Sequence, residues 1–156
     1  MNIRPYRDAD WPRLCAIHDQ ARRDELRAAS LIDAFPPLTV AAEREGLFDY
    51  QLQVAELEGA VVGFVAYCAQ EIAWLYVDPR CYRRGVGKAL VTAARQAMPG
   101  VITIQVLSGN QAALATYRAC GFVETGTQHG RMPGNDRFAV TVQLLEHRDV
   151  EPAGGA

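Results

Sequence analysis

Trp74-Leu75-Tyr76-Val77-Asp78-Pro79-Arg80-Cys81-Tyr82-Arg83-Arg84-Gly85-Val86-Gly87-Lys88 reads as an apolar strand, a basic turn and two glycines opening a helix. The first N–H groups of a helix have no partners inside it, and the helix dipole adds partial positive charge there. Glycine removes the Cβ that would hold a ligand off the backbone. Strand, turn and helix together therefore predict an anion site, most naturally for phosphate. Arg83, Arg84 and Lys88 add formal charge beside it, and Lys88 is the single lysine among sixteen basic residues.

Two common phosphate loops do not fit these residues. A G-x-x-x-x-G-K-[ST] loop ending at Gly87-Lys88 needs glycine where Tyr82 stands and a hydroxyl where Ala89 stands. A dinucleotide fingerprint needs a third glycine where Leu90 stands, and it belongs after a first strand.

Working outward, the chain alternates between strand and helix signals. Ile3–Tyr6 predicts a short strand, after which Asp8 or Asp10 is a candidate helix cap. Trp11, Leu14, Ile17, His18 and Ala21 recur at helical period, with Arg22, Arg23 and Asp24 assigned to the opposite, charged face. Pro36 and Pro37 stop this helix, and Thr39 is the expected cap of a short second one ending before Gly46. Leu52–Leu57 and Val61–Cys68 flank Glu58-Gly59 as a hairpin, and Ile72–Val77 is a third strand of the group. A helix from Gly85 to Met98, a strand from Val101 to Leu107 and a helix from Asn110 to Ala119 follow. Phe122–Thr125 and Phe138–Leu145 are closing strands, with Met132-Pro133-Gly134-Asn135 suited to a type II turn. The order β-α-α-β-β-β-α-β-α-β-β predicts helices packed on a mostly antiparallel sheet.

Composition narrows the class. A chain of 156 residues with 49% hydrophobic and 22% charged side chains is expected to form one domain, over 1–148, with 149–156 as a flexible tail. A net charge of −2 argues against nucleic acid as a partner. No apolar run is long enough to span a membrane, and the first residues lack the apolar stretch of a signal peptide. Cys15, Cys68, Cys81 and Cys120 form no C-x-x-C pair, and the three histidines have no ligand spacing, so no metal site is expected. Reduced thiols and a cytoplasmic location are the matching expectation.

Val77-Asp78-Pro79 followed by Arg83-Arg84-Gly85-Val86-Gly87-Lys88-Ala89-Leu90 resembles motif A of the GCN5-related N-acetyltransferases, Q/R-x-x-G-x-G/A, with Tyr82 at the Q/R position. Asn110-Gln111-Ala112-Ala113-Leu114-Ala115-Thr116-Tyr117-Arg118-Ala119-Cys120-Gly121-Phe122 resembles motif B, N-x-x-A-x-x-x-Y-x-x-x-G-F. The resemblance runs from about Val61 to Val123. It implies the α/β fold of that family, with a mixed, mostly antiparallel central sheet of six to seven strands flanked by about four helices.

The resemblance further implies acetyl-CoA as co-substrate, no metal, and acetyl transfer to a primary amine by direct attack. Leu75, Tyr76 and Val77 would bind the pantetheine arm and polarise the thioester. Tyr82, Arg83, Arg84, Gly85, Val86, Gly87 and Lys88 would hold the pyrophosphate. Asn110 would touch the cofactor arm, and Tyr117 would protonate the leaving thiolate. Glu71, at the start of the strand, is the candidate base acting through water. Glu25, Asp33, Phe35 and Arg131 are candidate acceptor contacts, Arg131 suiting an anionic group. The acceptor would be a small-molecule or protein amine, and frequent family behaviour implies a homodimer. A non-catalytic acyl-CoA-binding regulatory module is the alternative.

Overall fold

Among the described residues seven strands join into one sheet, with helices packed on both faces of the strand Ala60–Cys68. The computed structural model describes residues 1–148; the predicted tail, 149–156, lies outside the described residues. The strands are β1 (Asn2–Pro5), β2 (Gln51–Leu57), β3 (Ala60–Cys68), β4 (Glu71–Val77), β5 (Ile102–Leu107), β6 (Val123–Met132) and β7 (Asn135–His147). The helices are α1 (Trp11–Ala28), α2 (Leu38–Arg44), α3 (Val86–Ala97) and α4 (Gln111–Ala119). The sheet order is β1-β2-β3-β4-β5-β7-β6, and every neighbouring pair is antiparallel except β4 with β5. This is the mixed α/β architecture, with seven strands and four α-helices among the described residues, that the element order predicted.

β3 lies at the middle of the two cores. Phe64 and Ala66 face α1 and α2 with Leu14, Ile17 and Leu38, whereas Val65 and Tyr67 face α3 with Leu90, Val91 and Ala94. A strand covered on both faces is a continuous apolar run, which is why Val61–Tyr67 carries no polar alternation. At Gly63 an added Cβ would lie 3.0 Å from Leu90 Cδ1 and 3.0 Å from the Tyr76 carbonyl oxygen, so only glycine lets α3 and β4 approach here.

Three local expectations change in the structure. Asp10 precedes α1 in helical conformation and makes no cap bond to it. Its carboxylate instead takes two 2.8 Å bonds from the Arg4 guanidinium and one from the Arg7 N–H, because a paired arginine outcompetes a helix amide for a carboxylate. Thr39 lies inside α2 rather than capping it. Asp19 of α1 accepts from the Leu38 N–H at 2.8 Å, so a tertiary contact replaces the local cap. The last two strands run to 10 and 13 residues, well beyond the predicted apolar cores, because β6 pairs along β7 through exposed polar positions.

Candidate active site

The sheet opens between β4 and β5. They run parallel and pair at Glu71 with Thr103, with one further bond from Thr103 N–H to the Gln70 carbonyl at 2.8 Å. Beyond that point β5 pairs along all six residues with β7, and β4 stays with β3. The register against β3 steps from Ala66–Trp74 to Tyr67–Ile72, leaving Ala73 as a bulge residue that bends β4. The β5-facing edge of Trp74–Tyr76 is left without a strand partner, and backbone groups in that state suit an extended ligand.

A cleft of about 480 Å³ fills the gap. Because it passes through the sheet, side chains from both layers reach it. Tyr117 and Asn110 come from the α3–α4 layer, and His18, Arg22 and Glu25 come from α1. Tyr50, Arg44, Glu45 and the turn Met132-Pro133-Gly134-Asn135 close the α1–α2 end. That turn is pinned by Asn135 Nδ2 donating to the Ala34 carbonyl at 3.5 Å.

The predicted phosphate turn follows directly from β4. Gly85 precedes α3 in the left-handed region (φ +79°), with open space where a Cβ would point, and no side chain caps the helix. Arg83 is also left-handed (φ +62°), a strained conformation for a residue with a side chain. Tyr82, Arg83, Arg84 and Lys88 are exposed around these free amides, Val86 is buried under them, and a Cβ added at Gly87 would lie 3.5 Å from Thr116 of α4. Asp78 holds the turn in place. It is buried, accepts from the Arg80 N–H and side chain, and pairs with Arg13 of α1. Burial alone would raise its carboxyl, but the two arginines outweigh burial and hold it at about 2.

Electrostatics in the cleft centre on α1. Glu25 is ion-paired with Arg22, and its other oxygen accepts from Asn110 Nδ2 at 2.8 Å. Burial, reinforced by the Glu25 charge, pushes the Tyr117 and Tyr76 phenols well above their usual range, so both stay protonated. Burial also raises Glu45, against the pull of Arg22 and Arg44.

The sequence candidates divide. Leu75, Tyr76, Asn110, Tyr117, Glu71 and Glu25 line the cleft together. Asp33 and Phe35 do not line it; Asp33 is exposed and Phe35 lies under Arg23, whose guanidinium carbon is 4.3 Å from its ring centroid. Arg131 does not line it either; it is exposed, as is every residue of β6 from Val123 to Arg131. Arg22, expected on the solvated face of α1, lines the cleft. His18, Arg22 and Glu25 stand at i, i+4 and i+7, a spacing that marks one helix face and would have placed the charges there.

The family model "Acetyltransferase (GNAT) domain" matches residues 48–124, the stretch from the start of the hairpin through α4. That stretch is a GCN5-related N-acetyltransferase domain. Among relatives, the peptidyl-lysine N-acetyltransferase YiaC of Escherichia coli is 36% identical over 77 residues, 49% of this chain and 52% of that protein. The chain thus spans about half the length of that relative. A GCN5-related N-acetyltransferase from Rhodopseudomonas palustris superposes with a TM-score of 0.78 at 20% identity, over 95% of each chain. A phosphinothricin acetyltransferase of the family from Sinorhizobium meliloti, solved in complex with acetyl-CoA, gives a TM-score of 0.69 at 18% identity, over 99% of this chain and 94% of that one. Among the described residues no cluster of three metal-ligating side chains exists, and no helix is long and apolar enough to cross a membrane.

Proposed function

We propose that this protein is an acetyl-CoA-dependent N-acetyltransferase acting on a primary amine. The observation that carries the reading is that the unpaired edge of β4 runs on in sequence to the uncapped start of α3, with Tyr117 lining the cleft beside that edge. An uncapped helix start flanked by three exposed cations fits a pyrophosphate, and an open strand edge fits an amide-bearing arm. Leu75, Tyr76 and Val77 would hold that arm, Asn110 would touch it, and Tyr82–Lys88 would hold the pyrophosphate. When bound, acetyl-CoA supplies a thioester as acyl donor.

The remaining work falls to side chains of the chain itself. A backbone N–H of Tyr76 or Val77 polarises the carbonyl under attack. Tyr117, protonated throughout the neutral range, donates its phenolic proton to the leaving sulfur. Glu71 receives the amine's proton through water and passes it to solvent. The cleft holds Glu25, Glu45 and Glu71 against Arg22 and Arg44, three carboxylates to two guanidiniums, which favours an acceptor that arrives as an ammonium. Such an acceptor is a small polyamine-like molecule or a protein lysine, the group named in the activity of the YiaC relative.

Release of free thiol from acetyl-CoA, measured over a panel of small amines and lysine peptides, tests the reading. Turnover on any amine is the expected result. Tight acetyl-CoA binding without turnover on any of them would instead leave an acyl-CoA-binding regulatory module.

A further inference from the structure

His18 is 1% exposed, yet its ring forms part of the cleft wall. It stands over β4, with its centroid 4.8 Å from that of Tyr76 in an edge-on contact and 6.1 Å from that of Trp74. Its Nδ1 lies 2.9 Å from Asp19 Oδ1. A carboxylate oxygen accepts, so Nδ1 carries the proton and the lone pair is on Nε2. Asp19 is itself held: the same oxygen accepts from the Leu38 N–H at 2.8 Å, at the first residue of α2. Asp19 thus orients an imidazole that lines the cleft, a carboxylate–histidine pairing that general bases share across unrelated folds. Burial lowers the imidazole below its usual range although Asp19 pulls the other way, so the ring is neutral near pH 7. The charged and titratable groups around it are Asp19, Arg22 and Glu25 on α1, Tyr76 on β4 and Glu45 from the end of α2.

We propose that His18, oriented by Asp19, is the direct proton acceptor for the amine, an inference that rests on the acetyltransferase reading of the cleft. The arriving ammonium first loses its extra proton through water to Glu71 and solvent. As the N–C bond then forms and the C–S bond breaks, Nε2 takes an N–H proton of the neutral amine, and the imidazolium keeps its Nδ1–H on Asp19. Tyr117 delivers its phenolic proton to the sulfur. His18 then releases its proton through water to Glu71 and solvent, and solvent reprotonates Tyr117. One proton has moved from amine to thiol, and both side chains are restored.

The test begins with the unaltered protein. Long-range proton–nitrogen NMR correlations of the histidine rings should show His18 protonated at Nδ1 and bare at Nε2 near neutral pH, with a titration midpoint below that of an exposed histidine. An Nε2–H tautomer overturns the proposal. Kinetics follow, with wild type, His18→Gln, Asp19→Asn and Glu71→Gln compared over pH at matched thermal stability. His18→Gln should lower kcat about a hundredfold, leave acetyl-CoA affinity within a few-fold, and make kcat/KM rise with pH in step with free amine. Asp19→Asn retains the oxygen that faces both the Leu38 N–H and Nδ1 but removes the negative charge that stabilises the imidazolium, and should lower kcat at unchanged KM. A wild-type pH profile in His18→Gln, with the rising acidic limb lost in Glu71→Gln, overturns His18 as acceptor while the acetyltransferase reading stands. Absence of wild-type turnover on every amine overturns both.

Discussion

Asn110 joins two distant parts of the chain: its Nδ2 donates to Glu25 Oε2 at 2.8 Å, while its Oδ1 accepts from the Ala113 N–H at 3.1 Å as the cap of α4. One side chain thus ties the helix carrying Tyr117 to the helix carrying Arg22 and His18. Asn110→Ala should cost about 1–2 kcal/mol of stability, from the lost cap and the partly buried Glu25 left with one partner fewer. Asn110→Ser keeps the cap and loses only the bond to Glu25. Thermal unfolding of the two variants separates the contributions, with the serine variant expected nearer to wild type.

Tyr117 is buried in the cleft wall with its ring 5.7 Å from Phe122. Tyr117→Phe removes the oxygen and leaves the packing. It should lower kcat about a hundredfold while acetyl-CoA affinity by calorimetry changes little. Unchanged thiol release would remove the acid role from this residue.

Gly85 and Gly87 make different demands on the phosphate turn. Gly85 is left-handed with nothing near its missing Cβ, so Gly85→Ala should cost about 1 kcal/mol from backbone strain alone and weaken acetyl-CoA binding by misplacing the α3 amides. At Gly87 an added Cβ meets Thr116 and Val77 at 3.5 and 3.7 Å, ordinary contact. Gly87→Ala should leave the melting temperature near wild type and show any loss only in ligand affinity.

Asp78 predicts an acid dependence. Its carboxyl sits at about 2 in the folded protein, below the unfolded value of roughly 3.9. The folded state therefore binds fewer protons. The contribution is complete well above about pH 4 and disappears as pH falls through about 2, and it amounts to something on the order of 2–3 kcal/mol. Urea unfolding across that window should show the slope in wild type and a flatter one in Asp78→Asn. The variant should also be less stable at neutral pH, since Arg13 and Arg80 lose their charged partner.

Much of the fold was legible because local patterns carried it. The Glu58-Gly59 turn has both residues left-handed, as a two-residue hairpin requires, and the strand–turn–helix at Trp74–Lys88 follows from its apolar run and paired glycines. The caps of α1 and α2 were not legible. Asp10 answers to Arg4 and Leu38 to Asp19, so the partners that decide them are tertiary. Within the site, Glu25 and Tyr117 could be nominated one by one. Arg22 was assigned to solvent because its charge outweighed its register with His18.

The sequence by itself determined the order of elements, the Glu58-Gly59 hairpin turn and the strand–turn–helix at Trp74–Lys88, all products of short-range sterics and hydrogen-bonding capacity. The tertiary structure alone decided where β4 and β5 part and what fills the gap. Their separation depends on β5 finding β7 along its whole length and on the bulge at Ala73, pairings that no local pattern encodes. That gap through the sheet is what brings His18 from one layer and Tyr117 from the other to a single cleft.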